Sequence, residues 1–236
     1  MSSEALAGVL RASAAVLFDF DGPICDVFRG LPASGVAAEL ADLVAVQSPT
    51  LAVRARGTED PMEVHRLSQE GGEALLRAVE AALTAAEVRA VKVAGPPVAG
   101  AVQALKTARD SKLPVAIVSN NSSECVNEFL ALNELEGLVA VVIGRPVLRP
   151  DLMKPAPYPL LSAAAALGVE PENMVLIGDS LTDIEAARAA GARSIGYANK
   201  PRKWSALTEA GADVVVLAMQ VLADVLAPDG GPNPPR

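Results

Sequence analysis

The sequence predicts an α/β protein: a doubly wound, Rossmann-like parallel sheet carrying an inserted α-helical unit. Short apolar runs rich in β-branched residues recur along the chain, and from Pro114 onward they alternate with helix-patterned segments. The interval from Gly30 to Gly95, in contrast, carries helical patterns and no strand of comparable quality.

The runs AAVLF (Ala14 to Phe18), PVAIVS (Pro114 to Ser119), VAVVIG (Val139 to Gly144), NMVLIGD (Asn173 to Asp179) and RSIGYA (Arg193 to Ala198) are expected as five core strands. DVVVL (Asp213 to Leu217) is expected as an edge strand. Their continuous apolarity suits strands covered on both faces. SSECVNEFLALNEL, PYPLLSAAAALG, SLTDIEAARAAG and PRKWSALTEAG fill the gaps as helices, the last three closing with Gly, a common helix stop.

In the long interval, ASGVAAELADLVAVQ, EDPMEVHRLSQ and GGEALLRAVEAALTAAEVRAV read as helices, with Leu75, Val79 and Leu83 near helical spacing. A plain crossover rarely needs ~65 residues, so this is an insertion. PPVAGAVQALKTARD, with proline near its start, returns the chain to the sheet as a further helix. The division is a core of residues 13–30 and 95–220, a helical insertion of 31–94, and flexible termini at 1–12 and 227–236. The second terminus holds the Pro/Gly-rich APDGGPNPPR.

Hydrophobic residues make up 51% of the 236, aromatics only 3%, so the core must be built from Ala, Val, Leu and Ile. The formal net charge of −8 repels phosphate backbones and anionic lipid, which disfavours nucleic-acid and membrane-surface roles. Any anionic ligand then needs a local positive site. Cys25 and Cys125 are too few for a disulfide framework and read as small buried hydrophobes in a reducing compartment. MSSEALAGVLRASAAV has an acid before any base, and no stretch approaches the ~18 apolar residues of a membrane span, so a cytoplasmic protein is expected.

In open α/β sheets ligands bind beyond the carboxyl ends of strands, and four strand ends here carry suitable groups. In FDFDGPICD, Asp19 and Asp21 lie two apart and share one side of an extended segment, with Phe18 and Phe20 on the other. Two carboxylates held together favour keeping one protonated or adding a cation, an arrangement that suits a nucleophile beside a general acid/base. Gly22 lets the backbone approach a ligand, and Pro23 stiffens the exit. In SNNS, Ser119 and the amides after it form an anion site at a helix start. In MKPAPYP, Lys154 can neutralise a phosphate. In GDSLTD, Asp179 and Asp183 supply oxygen ligands suited to a hard cation such as Mg²⁺. Taken singly, each fits a plainer role as well: an Asx turn, a helix cap, a solvated lysine, a capped helix start.

Taken together, in chain order, the four resemble the motifs of the haloacid dehalogenase superfamily of Mg²⁺-dependent phosphohydrolases. The likeness is to the phosphoglycolate phosphatase-like branch with a helical cap of the first type. It implies that Asp19 attacks phosphorus and that Asp21 protonates the leaving oxygen and then activates water. Ser119 and Asn120 would hold the phosphoryl oxygens and Lys154 would balance their charge. Mg²⁺ would sit on Asp19, Asp21 through its carbonyl, and Asp179, with Asp183 direct or through water. The insertion would be the cap, and Asp26 stands where many relatives have an acid at the cap hinge. Pro23 departs from the usual Thr or Val and removes one backbone donor.

The expected function is hydrolysis of a small phosphorylated metabolite through an aspartyl phosphate. A sugar phosphomutase shares every core residue named, and a non-catalytic phospho-ligand-binding protein of the same fold is the alternative outside enzymes. Arg54, Arg56, His65 and Arg66 lie in the insertion as possible substrate contacts. Solvated side chains are the commoner outcome there, so none is assigned.

Overall fold

A computed structural model describes residues 3–227. Ala15–Phe18 (β1), Val115–Val118 (β2), Val141–Ile143 (β3), Met174–Gly178 (β4), Arg193–Tyr197 (β5) and Val214–Val216 (β6) form one sheet in the order β3-β2-β1-β4-β5-β6. Every pairing is parallel. The apolar runs therefore form the expected strands, with one correction: VAVVIG is not interior. β3 is the second edge, partly exposed along its length.

Side chains of β1 alternate between two layers. Val16 and Phe18, continued by Phe20, enter one core with Ser3–Arg11 (α1), Ala101–Asp110 (α6), Ser123–Leu132 (α7) and Gln220–Leu226 (α11). Ala15 and Leu17 enter the other with Tyr158–Leu167 (α8) and Leu181–Ala190 (α9). The helices α8 and α9 stop at left-handed Gly168 and Gly191. Lys203–Glu209 (α10) packs beyond β5 and β6 through Leu207.

The insertion between β1 and β2 is helical: Ala33–Gln47 (α2), Pro49–Arg56 (α3), Pro61–Ser68 (α4) and Glu73–Val91 (α5). It has its own apolar centre, in which Leu75, Val79 and Leu83 of α5 meet Leu40 and Val44 of α2. The two chain crossings between core and insertion are tied where the Val98 amide donates to the Ile24 carbonyl at 2.9 Å.

The first segment, expected as a flexible terminus, is helical in its described residues: α1 buries Leu6 and Leu10 against α11, so docking supplies the stability that nine residues lack alone. Residues 1–2 and 228–236 lie outside the described residues. Helix α6 starts at Ala101 rather than in the proline pair, because Gly100 caps it in a left-handed conformation. Both cysteines are buried and free. Among the described residues no helix is long and apolar enough to cross a membrane.

Candidate active site

Parallel strands aim all their carboxyl ends one way, and register aligns three of them. Phe18 pairs with Ile117 on one side and Ile177 on the other, so Asp19, Ser119 and Asp179 emerge as neighbours. The ladder continues into the site: the Asp19 amide donates to the Ile177 carbonyl at 2.8 Å and the Ser119 amide to the Ile143 carbonyl at 2.9 Å. A cavity of about 630 Å³ opens there, floored by Asp19, Asp21, Ser119, Asn120, Lys154 and Asp179.

After Asp19 the chain makes a tight turn. Amides of Ile24 and Cys25 both donate to the Phe20 carbonyl, at 3.1 and 3.0 Å, so the turn closes just past Pro23. Proline's missing N–H takes nothing from this closure. Gly22 has φ 109°, and a Cβ there would overlap the Asp179 carboxylate. The backbone at Gly22, expected to approach a ligand, approaches the Asp179 carboxylate in the structure.

Lys154 is fully buried, and its Nζ donates to Asp183 Oδ1 at 2.6 Å and to the Val118 carbonyl at 3.0 Å, and lies 2.8 Å from Asp19 Oδ1. Burial works against its charge, yet Asp183 and Asp19 hold its pKa above the ordinary lysine range. Asp183 is also buried and spends its second oxygen on the Ser180 amide and hydroxyl at the start of α9, closing a capping box. The capping expected at GDSLTD is present together with a bond to Lys154.

Asn120 reaches across to Lys154 with its side chain, accepting from the Lys154 amide at 2.9 Å and donating to its carbonyl at 3.1 Å. Ser119 Oγ donates to Asn121 Oδ1 at 3.2 Å and accepts from the Asn121 amide at 3.0 Å. Helix α7 starts only at Ser123, capped by Ser122, so Ser119 stands a turn before the helix rather than on its first residue.

Asp21 turns its Oδ1 toward the Val27 amide at 3.0 Å, and burial raises its pKa to about 6 against that bond. Asp19 is raised too, by burial and then by Asp183, which together outweigh Lys154. Oxygens of Asp19, Asp179 and Asp183 lie within 4.8 Å of one another, a set that could hold a metal ion. All donors are hard carboxylate oxygens, which fit Mg²⁺ and not a soft metal. Asp19, Asp21, Asp179 and Asp183 outnumber the two ammonium groups of Lys154 and Lys203, and a divalent cation would offset the excess negative charge.

The second ammonium belongs to Lys203, which with Asn199 holds Asp179 Oδ2. Neither was singled out in the sequence, although both follow the fifth apolar run and the strand-end rule points there as well. Burial raises the Asp179 pKa, and Lys203 is the chief group opposing it.

The cavity is walled by Phe28 and Ala33 at the crossing, by Thr58, Glu59 and Asp60 in the turn between α3 and α4, and by Pro61 and Met62 at the start of α4. The four basic residues considered earlier line none of it. Arg54 pairs with Glu70 and Arg56 with Asp42 in solvent. His65 is not solvated: it is fully buried against Glu80 at 2.9 Å. Arg66 donates to the Lys154 carbonyl at 3.3 Å.

A family model of haloacid dehalogenase-like hydrolases matches residues 14–191. The chain belongs to this family. Among relatives, phosphoglycolate phosphatases of Neisseria meningitidis and Escherichia coli are 39% and 38% identical over 84 residues. The matched stretch is 36% of this chain and spans about a third of those relatives, 35% and 32%. A structure described as a predicted phosphoglycolate phosphatase from Haemophilus somnus superposes with a TM-score of 0.63 at 17% identity, covering 89% of this chain and 96% of that one. This likeness extends the shared fold beyond the sequence match, through the helical insertion of the haloacid dehalogenase-like chain.

Proposed function

We propose that the chain hydrolyses a small-molecule phosphate monoester with Mg²⁺ through an aspartyl phosphate on Asp19. One observation carries this: a buried carboxylate, Asp19, sits 2.8 Å from a buried ammonium, Lys154, on the floor of a cavity shared with Asp21, Ser119 and Asp179. Phosphoryl transfer asks for positioning and charge neutralisation more than for covalent chemistry, and this floor supplies both.

An oxygen of Asp19 attacks phosphorus; the bond from Asp19 to phosphorus forms as the ester oxygen departs. Asp21, two residues on and raised to about 6, gives that oxygen its proton. The product alcohol leaves, water enters, and Asp21 takes the proton back as the water oxygen attacks phosphorus. The bond from Asp19 to phosphorus breaks, which releases inorganic phosphate and regenerates the Asp19 carboxylate. Ser119 and the Asn120 amide hold the phosphoryl oxygens, and Lys154 offsets their charge. Asp19, Asp21, Asp179 and Asp183 would hold Mg²⁺, which when bound supplies positive charge to the phosphoryl oxygens.

Release of phosphate from an aryl phosphate with Mg²⁺ tests this reading, with Asp19→Asn as control. Mg²⁺-dependent turnover lost in the variant is expected; turnover retained in Asp19→Asn rules out the nucleophile.

A further inference from the structure

A buried charge network outside the catalytic floor joins the helical insertion to the loop that carries Ser119. Arg145, at the carboxyl end of β3, has a fully buried side chain that reaches into the insertion: Nε donates to Glu80 Oε1 at 2.7 Å, Nη1 to Glu87 Oε1 at 2.7 Å and Nη2 to Thr84 Oγ1 at 3.1 Å. Nη1 also donates to the Asn120 carbonyl at 3.1 Å. Glu87, equally buried on α5, accepts from Asn121 Nδ2 at 3.2 Å and from the Ser122 amide at 3.0 Å.

The consequence runs through Asn121. With its NH₂ held by Glu87, its carbonyl oxygen must face Ser119, where it accepts from the hydroxyl and fixes the place of Oγ until a phosphoryl oxygen takes that hydrogen bond, while the Asn121 amide donates to Ser119 Oγ. Arg145 fixes the same loop from its other side, by the Asn120 carbonyl and by its own amide to the Asn121 carbonyl at 2.8 Å. Three successive residues, Asn120 to Ser122, are thus held by one ion pair, half of which belongs to the insertion. A buried pair stripped of one partner leaves an uncompensated charge, so the arrangement tolerates little slack.

We propose that Glu87 and Arg145 are positioning residues that set the phosphate-binding conformation of the Ser119–Ser122 loop. Through them, docking of the insertion is coupled to phosphate affinity. This rests on the phosphatase reading, because it takes Ser119 to Asn120 as the phosphate cradle. Neither residue touches the reacting atoms.

The test is calorimetric binding of inorganic phosphate, with Mg²⁺ binding, thermal unfolding and aryl phosphate kinetics, on wild type, Glu87→Gln, Arg145→Met and the double variant. Loss of one charge-assisted hydrogen bond should weaken phosphate roughly tenfold or more. The misplaced cradle should lower kcat/KM by roughly a hundredfold, with Mg²⁺ affinity unchanged. The double variant removes the charge pair of positions 87 and 145 but leaves Glu80 with His65 as its remaining side-chain partner, so its unfolding temperature should recover in part relative to Arg145→Met while the phosphate defect persists. Should a single variant fail to fold, the double variant decides alone. Wild-type phosphate affinity and kcat/KM in a folded Glu87→Gln or double variant would overturn the proposal. Wild type that neither binds phosphate nor turns over would remove the phosphatase reading, and this proposal with it.

Discussion

The ammonium of Lys154 lies 2.8 Å from Asp19 Oδ1, although 135 positions separate the two residues and both are buried. The lysine is shared with Asp183 at 2.6 Å, so one cation separates two carboxylates that would otherwise face each other. Lys154→Met should therefore cost about 3–5 kcal/mol of stability, the range for breaking a buried pair, and abolish turnover. Chemical denaturation and phosphate release check the two effects separately.

Gly22→Ala should cripple the site while leaving the fold. Left-handed backbone costs an ordinary residue about 1–2 kcal/mol, and the new Cβ must also displace the Asp179 carboxylate. Mg²⁺ affinity, measured by calorimetry, should drop with activity. Unchanged Mg²⁺ binding would show that Asp179 does not depend on this close approach.

The wall that the insertion presents to the cavity carries Glu59 and Asp60, and among the cavity-lining residues Lys154 is the one cation. That lysine is already engaged by Asp19 and Asp183. A leaving group bearing a carboxylate meets acids and no free cation. Phosphoglycolate should therefore be a poorer substrate than an ester of a neutral polyol. The expected margin in kcat/KM is roughly tenfold or more, since juxtaposed like charges cost above the ~1.4 kcal/mol that a factor of ten represents. A panel of phosphate esters measures this directly, and a preference for phosphoglycolate would contradict it.

Glu80 governs part of the acid stability. Burial alone would raise its pKa, but hydrogen bonds from His65 and Arg145 bring it down to about 2. A carboxylate depressed in the fold contributes stability above its unfolded value near 4.5, and that contribution is lost as pH falls toward 2. Melting temperatures across this window should fall less steeply for Glu80→Gln than for wild type.

How far the sequence disclosed this depends on range. The strands were legible because each is a short apolar run whose character is its own, and the residues of the candidate floor could be picked out because strand ends carry them. Asp19, Ser119 and Asp179 needed only the rule that parallel strands aim their carboxyl ends together. Edge or interior is another matter: β3 is as apolar as its neighbours, and only the pairing order exposes it. Helices α1 and α11 are stabilised by each other from opposite ends of the chain, with no local signal strong enough to announce either. Glu87 and Arg145 lie 58 positions apart and would pass for surface charges in any window. Asp183 was legible as a cap and as an acid near a cation, while its bond to Lys154 required the fold.

Lys203, which holds Asp179, is followed directly by Trp204, the chain's single tryptophan, half-buried against the cluster of Ile184, Leu207 and Val215. A divalent cation that takes Asp179 from this lysine acts on the very helix that carries the indole. Intrinsic fluorescence, excited at one residue and needing no label or substrate, becomes an optical readout of occupancy at the acidic site.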